Sequence, residues 1–162
     1  MRILGIDPGL NVTGWGVIEV EGDRCAHVHH GVVRTKASDP LAVRLSALRD
    51  GVRAIAGEWA AEAGAIESSF VGNNARSALL LGHARAAAML GMADGGCGVH
   101  EYAPTLVKQT VAGYGRGEKS QGAGRGRIQL GLASIPAPAD AADALAVAIT
   151  HWAHARLGAR LR

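Results

Sequence analysis

At 162 residues, 48% of them apolar, the chain is long enough to bury a substantial core as a single domain over 1–162, and its composition excludes wholesale disorder. The net charge is only +3 but unevenly spread: Lys108 to Arg127 holds five basic residues and one acid, Glu118, and after Asp143 come Arg156, Arg160 and Arg162 with no acid. This asymmetry points to a polyanionic partner, with solvated surface as the plainer alternative. Cys25 and Cys97 fall in no metal or redox spacing, no signal peptide opens the chain, and no uninterrupted apolar span reaches membrane length. The expectation is a soluble, cytoplasmic protein.

Ile3, Leu4 and Ile6 predict a short buried strand that ends on Asp7, where Pro8 and Gly9 turn the chain. Trp15 to Val20 returns as an antiparallel partner, and Cys25 to Thr35 adds a third strand to the meander. Ser38, Asp39 and Pro40 signal a helix start with the proline close to the first turn. Leu41, Leu45, Leu48, Val52 and Ile55 then mark one helical face. Ala65 to Glu67 is a short strand that again ends on a carboxylate. Ala75 to Met92 predicts a helix apolar nearly all round, either central to a core or shared with another subunit. Val99 to Tyr102 is a fifth strand. Gly113 to Gly131 holds seven glycines, and at a cost of about 1 kcal/mol for each Gly in a helix the segment reads as largely irregular. Ala139 to Leu157 predicts a strong Ala-rich helix. A meander followed by strands alternating with helices gives an α/β domain with a mixed sheet, the strands ending on Asp7 and Glu67 being central.

An ionised carboxylate at the end of a buried strand is costly to desolvate unless a metal ion, a cation or water pairs with it. Taken alone, Asp7 is explained by the turn it opens. Asp140 and Asp143 lie three apart on one helix face, with Cβ atoms about 5–6 Å apart. Capping accounts for one of them, because acids in a first turn offset the helix dipole; the second leaves capping and chemistry equally open. With the strands as neighbours and the helix beside them, all four carboxylates converge. Two like charges about 5 Å apart repel by on the order of 3 kcal/mol at an effective dielectric of about 20. Such a cluster persists only when protons or hard cations neutralise it. Oxygen-only ligands select Mg2+ or Mn2+, and two such ions about 3.5–4 Å apart clamp the attacking and leaving oxygens of an in-line phosphoryl displacement. The chemistry reads as metal-assisted phosphodiester hydrolysis.

Several stretches carry a family resemblance. They are Gly5-Ile-Asp-Pro-Gly9 with Thr13-Gly-Trp-Gly16; Ala65-Ile-Glu67 with Phe70, Asn74-Ala75 and Ser77-Ala-Leu79; Val107-Lys-Gln-Thr110 with Gly113 and Glu118-Lys-Ser-Gln121; and Ala139-Asp-Ala-Ala-Asp-Ala-Leu-Ala146 with Ala148-Ile-Thr-His151. In order, and across nearly the whole chain, they resemble the RuvC family of bacterial Holliday-junction resolvases. The resemblance implies a ribonuclease-H-like fold, a mixed five-stranded sheet flanked by helices. It also implies a homodimer and a Mg2+-dependent endonuclease, with Mn2+ as the other candidate ion, that nicks two opposed strands of a four-way DNA junction in recombination and repair. The branch-migration proteins RuvA and RuvB would be its partners. On this chain the catalytic, metal-binding acids would be Asp7, Glu67, Asp140 and Asp143, and Phe70, Lys108 and Lys119 would contact DNA.

Phe70 is the only Phe and lies just past Glu67, ahead of the polar Gly72-Asn73-Asn74 stretch. A loop aromatic beside a nuclease site can stack on an unpaired base, worth about 1–3 kcal/mol; an isolated Phe is otherwise a core residue. Lys108 and Lys119 sit in the basic segment and suit phosphate contact, solvated charge being the alternative. Arg76, between the polar loop and the apolar helix, is a further candidate for DNA contact. His27, His29 and His30 read as an exposed strand face rather than a metal site. After Gln121 the chain runs Gly122-Ala-Gly-Arg-Gly-Arg-Ile-Gln-Leu-Gly131 where the family has an amphipathic helix, which leaves a flexible phosphate-binding arm or a weakened helix.

Two other classes compete. A sugar-kinase or actin-like ATPase shares a similar Gly-x-Asp-x-Gly turn but needs a second, duplicated domain, for which the chain has no room. A catalytically silent DNA-binding module would not need all four acids.

Overall fold

β1 (Arg2–Asp7) is buried along its middle, and its alternation divides the core in two: Ile3 packs on one face of the sheet, Leu4 and Ile6 on the other. β2 (Val12–Glu21) returns antiparallel, with Ile3 opposite Ile18, Gly5 opposite Gly16 and Asp7 opposite Gly14. β3 (Arg24–Arg34) pairs antiparallel with β2 and shifts register once, between Val17 and Ile18. After α1 (Leu41–Glu58), β4 (Ala63–Glu67) enters parallel to β1, with Ile6 level with Ile66. After α2 (Ala75–Asp94), β5 (Gly98–Tyr102) runs parallel to β4, with Glu67 level with Tyr102. α3 (Pro104–Gly113) and α4 (Ala139–Arg160) follow. The computed structural model describes residues 1–22, 24–68, 74–113 and 136–160.

The strand order β3-β2-β1-β4-β5 is a mixed five-stranded sheet with the two acid-ending strands side by side at its centre. α1 and α2 cover one face, bringing Leu48, Val52, Ala84, Ala88 and Met92 onto Leu4, Ile6, Trp15, Val17 and Ile66. α4, with Val107 of α3, covers the other, where Leu145, Ala148, Ile149 and Trp152 meet Ile3, Ile18, Val20, Ala63 and Ala65. Among the described residues no helix is long and apolar enough to cross a membrane.

Two local features answer the expectations: α1 starts directly after Pro40, and α2 divides into a packed and an exposed face. Pro40 is the extended residue before the first turn of α1, with φ −55° and ψ 145°, and no side chain caps that helix. α2 is not buried all round: Ala84, Ala87, Ala88, Gly91 and Met92 form its inner face, while Leu79 and Leu90 are 61% and 55% exposed. The glycine-rich 114–135 stretch lies outside the described residues.

Candidate active site

Strand alternation sends Ile3, Gly5 and Asp7, and in parallel Ala63, Ala65 and Glu67, to the face covered by α4. Because Ile6 and Ile66 are level in adjacent parallel strands, Asp7 and Glu67 end side by side. The helix above them lies unusually close. A Cβ on Gly5 would meet the Ala144 carbonyl oxygen at 2.0 Å, and one on Gly14 would meet the Asp140 carbonyl oxygen at 2.0 Å. The α4 backbone thus rests directly on glycine backbone, with Ala141, Ala144 and Ala148 fully buried at the contact. Gly14 is the ladder partner of Asp7, so the turn bearing Asp140 and Asp143 is delivered over the end of β1.

The turn after Asp7 is also fixed. The Thr13 hydroxyl, wholly buried, donates to the Gly9 carbonyl oxygen at 2.7 Å and accepts the Gly9 N–H at 3.2 Å. From α1, Arg44 donates to the Leu10 carbonyl oxygen at 3.2 Å and to the Thr35 hydroxyl at 2.9 Å.

The four carboxylates act on one another. Burial first, and then Asp143, Asp140 and Glu67, push Asp7 up to about 7. Glu67 is raised by burial and by Asp143, against an opposing pull from Lys108. Asp143, the most exposed of the four, is raised by partial burial and by Asp140. A set of carboxylates without thiolate or imidazole suits a hard divalent cation. Among the described residues, however, no three His, Cys, Asp or Glu groups are placed to hold a metal ion as they stand. Mutual repulsion of like charges opposes their closer approach.

The other expected residues divide. Lys108 is exposed on α3 and lies within electrostatic range of Glu67. Arg76 is exposed on the first turn of α2 and is not among the charges that shift the carboxylates. Phe70 and Lys119 fall outside the described residues. The histidines of β3 are less open than expected: His27 Nε2 lies 2.7 Å from His30 Nδ1, both half-buried, and His29 stacks on Trp15 and Trp59 with centroids 5.5 and 5.0 Å apart.

Sequence reasoning gave no role to two features beside the acids. Arg85 of α2 donates from Nε to the Glu67 carbonyl oxygen at 3.1 Å and pairs with Glu101 of β5. Tyr102 and His151 share a 2.7 Å hydrogen bond that ties β5 to α4, and burial, then His100 and His154, push His151 down to about 4. Neither is readable from spacing, because the partners are brought together only by the fold.

A family model described as Crossover junction endodeoxyribonuclease RuvC matches residues 3–151. The chain is 54% identical over 121 residues to the Crossover junction endodeoxyribonuclease RuvC of Burkholderia ambifaria (strain MC40-6), a match covering 75% of this chain and 66% of that protein. The corresponding protein of Burkholderia vietnamiensis is 54% identical over the same length, with 75% and 67% covered. The chain therefore spans about two thirds of the length of the curated relatives it matches. Its fold superimposes on T. thermophilus RuvC in complex with Holliday junction substrate, with a TM-score of 0.86, 33% identity, and 98% and 96% of the two chains covered. A second structure of Thermus thermophilus RuvC matches at 0.85 and 35%, covering 98% and 97%. The mixed sheet flanked by helices is thus the RNase H-like fold of these neighbours, and the chain belongs to the RuvC family of crossover junction endodeoxyribonucleases.

Proposed function

We propose that this chain is a structure-selective endonuclease that resolves four-way DNA junctions by paired, metal-dependent phosphodiester hydrolysis in homologous recombination and DNA repair. The observation that carries the reading is the convergence of Asp7, Glu67, Asp140 and Asp143 at one end of the sheet, where burial first, and then the other three carboxylates, push Asp7 up to about 7. The family of the chain and the junction bound by its T. thermophilus neighbour support the substrate.

Asp7, Glu67, Asp140 and Asp143 would hold Mg2+, or Mn2+, as two ions per site, and the ions would supply charge stabilisation to the phosphodiester displacement. Asp7 has to give up its proton before it can serve as a ligand. Glu67 comes from the end of β4 and Asp143 from the first turns of α4. Lys108, Lys119 and Arg76 contact phosphates, and Phe70 stacks at the crossover. A four-way junction offers two equivalent scissile strands, so the working unit is a two-fold homodimer. The exposed Leu79 and Leu90 of α2 supply part of its interface. The chain acts as a single nuclease domain in the cytoplasm, with RuvA and RuvB as branch-migration partners.

Asp7→Asn is nearly isosteric and tests the mechanism. On a synthetic four-way junction with Mg2+ it should lose more than about 100-fold in cleavage, while gel-shift affinity, set by phosphate contacts, is kept or tightened. Glu67→Gln, Asp140→Asn and Asp143→Asn should behave alike. Near-normal cleavage by Asp7→Asn overturns the reading.

A further inference from the structure

The catalytic reading leaves unexplained a half-buried arginine on the far side of the sheet from α4. Arg85 lies in the third turn of α2, and its side chain is only 18% exposed. Its guanidinium reaches two adjacent strands: Nε donates to the Glu67 carbonyl oxygen at 3.1 Å, and a terminal nitrogen pairs with the Glu101 carboxylate. Glu67 is the last residue of β4, and Glu101 is level with Ile66 one strand over. Just beyond, Ser68 is fixed to β5, its N–H donating to the Tyr102 carbonyl oxygen at 2.8 Å and its hydroxyl to the same oxygen at 3.1 Å. The end of β4 is therefore held from two directions, by β5 alongside and by α2 through Arg85.

Holding an arginine in one half-buried conformation costs rotamer freedom and partial desolvation, and an ion pair at a surface contributes little to stability. The arrangement has a different consequence. Rotation of the Glu67 peptide plane would re-aim the Glu67 side chain, and a donor fixed on the Glu67 carbonyl resists that rotation. A fork that engages two strands at once also needs arginine, because a lysine ammonium is a single point of charge.

We propose that Arg85 is a positioning residue for the nuclease reaction: anchored by Glu101, it fixes the Glu67 backbone and so aims the Glu67 carboxylate at Asp7 and Asp143. This rests on the metal-nuclease reading above. It also links α2, whose exposed Leu79 and Leu90 lie on the same helix, to a catalytic acid on the sheet. Outer groups that orient a metal ligand typically change metal affinity or activity by about 10–100-fold when removed.

The test uses the full chain and two readouts. Mn2+ titration of the DNA-free protein, followed by electron paramagnetic resonance, should show Arg85→Ala binding about 10-fold more weakly. Single-turnover cleavage of a four-way junction should fall by about 10–100-fold at limiting Mg2+ and recover in large part at high Mg2+, with gel-shift affinity unchanged. Arg85→Lys should fall between wild type and Arg85→Ala, and Glu101→Gln should show a smaller defect of the same kind. The double variant Arg85→Ala/Glu67→Gln should lose no more than Glu67→Gln alone, because Arg85 acts through Glu67. Normal Mn2+ binding by Arg85→Ala, or additive losses in the double variant, overturns the proposal. So does a cleavage defect that follows the melting temperature and ignores Mg2+. Asp7→Asn run alongside separates the two claims: cleavage by that control rejects the metal-nuclease reading itself, whereas an inactive control beside an unaffected Arg85→Ala rejects only the role of Arg85.

Discussion

A Cβ placed on Gly14 would lie 2.0 Å from the carbonyl oxygen of Asp140, and Gly14 is the residue opposite Asp7 in the β1–β2 ladder. One missing side chain thus sets the separation between an acid at a strand end and an acid on a helix. The obstructing atoms are backbone, so a methyl group there has to displace the first turn of α4 rather than a flexible side chain. Overpacking of this kind costs about 1–3 kcal/mol, and a displacement near 1 Å at a reacting centre costs on the order of 100-fold in rate. Gly14→Ala should therefore lower cleavage by about 100-fold while the protein stays folded at room temperature. Single-turnover cleavage and thermal melting measured together check this; a lowered melting point with full cleavage would remove Gly14 from the site.

This contact explains which parts of the site could be read in advance. β1 and β4 stand out because central strands buried on both faces are short continuous apolar runs, and Asp7 and Glu67 are conspicuous where those runs stop. Asp140 and Asp143 are conspicuous as a pair. The reason α4 is so rich in alanine is not visible, since it depends on the register that puts Gly5 against Ala144 and Gly14 against Asp140. The inner face of α2 was hidden for a related reason. On a helix apolar nearly all round, hydropathy does not single out a packed face, and the one that packs on α1 and the sheet is mostly small, Ala84, Ala87, Ala88 and Gly91 with Met92. Pro40 shows the local limit: the same residues permit a proline inside the first turn or just before it, and only the observed ψ of 145° decides. Arg85 lies eighteen positions from Glu67 and sixteen from Glu101, so no spacing rule connects them.

The raised pKa of Asp7 has a sign that can be measured. Its ordinary value is 3.8 and its folded value about 7, so between about pH 4 and pH 7 the folded protein holds a proton that the unfolded chain has released. Stability contributed by that group therefore falls as pH rises through the window. His151, pushed down to about 4 from 6.5, works the other way, with stability rising between about pH 4 and 6.5. Comparing Asp7→Asn with wild type in chelator cancels the histidine. The melting temperature of the variant should climb relative to wild type from about pH 4 to pH 7 and then level off. A gap that does not change with pH contradicts the assignment.

If Asp7 is a metal ligand, the same proton competes with metal. At limiting Mg2+, cleavage should rise with pH through about 7, and saturating Mg2+ should move the midpoint lower, because only the ionised carboxylate is a ligand. A midpoint that ignores Mg2+ concentration would assign the titration to another group.

Leu79 and Leu90 are large apolar side chains left in solvent on a helix whose opposite face is fully packed. Leu90→Glu and Leu79→Glu should leave the core intact and shift sedimentation from dimer towards monomer at micromolar protein. Paired nicking should fall more than binding of a single duplex arm, since in the proposed dimer each subunit would carry one site. A wild-type chain that sediments only as monomer while resolving junctions would reject the dimer and this role for α2 together.

Lys108 separates two kinds of basic residue. It is exposed on α3, and its charge opposes the upward shift of the Glu67 pKa. As a phosphate contact, its removal should weaken junction binding about uniformly across sequences and reduce the slope of log affinity against log salt by about 1. As a neighbour of Glu67, it should leave a second mark. Without it Glu67 loses an attractive partner, its pKa rises further, and the pH profile of cleavage by Lys108→Ala should move to higher pH at limiting Mg2+. Lys119→Ala provides the comparison: if Lys119 serves DNA alone, its variant shows the salt effect and keeps the wild-type pH profile. Measuring affinity at several salt concentrations and cleavage across pH for both variants resolves the two marks. A Lys108→Ala protein with reduced affinity and an unmoved pH profile would confine Lys108 to DNA contact.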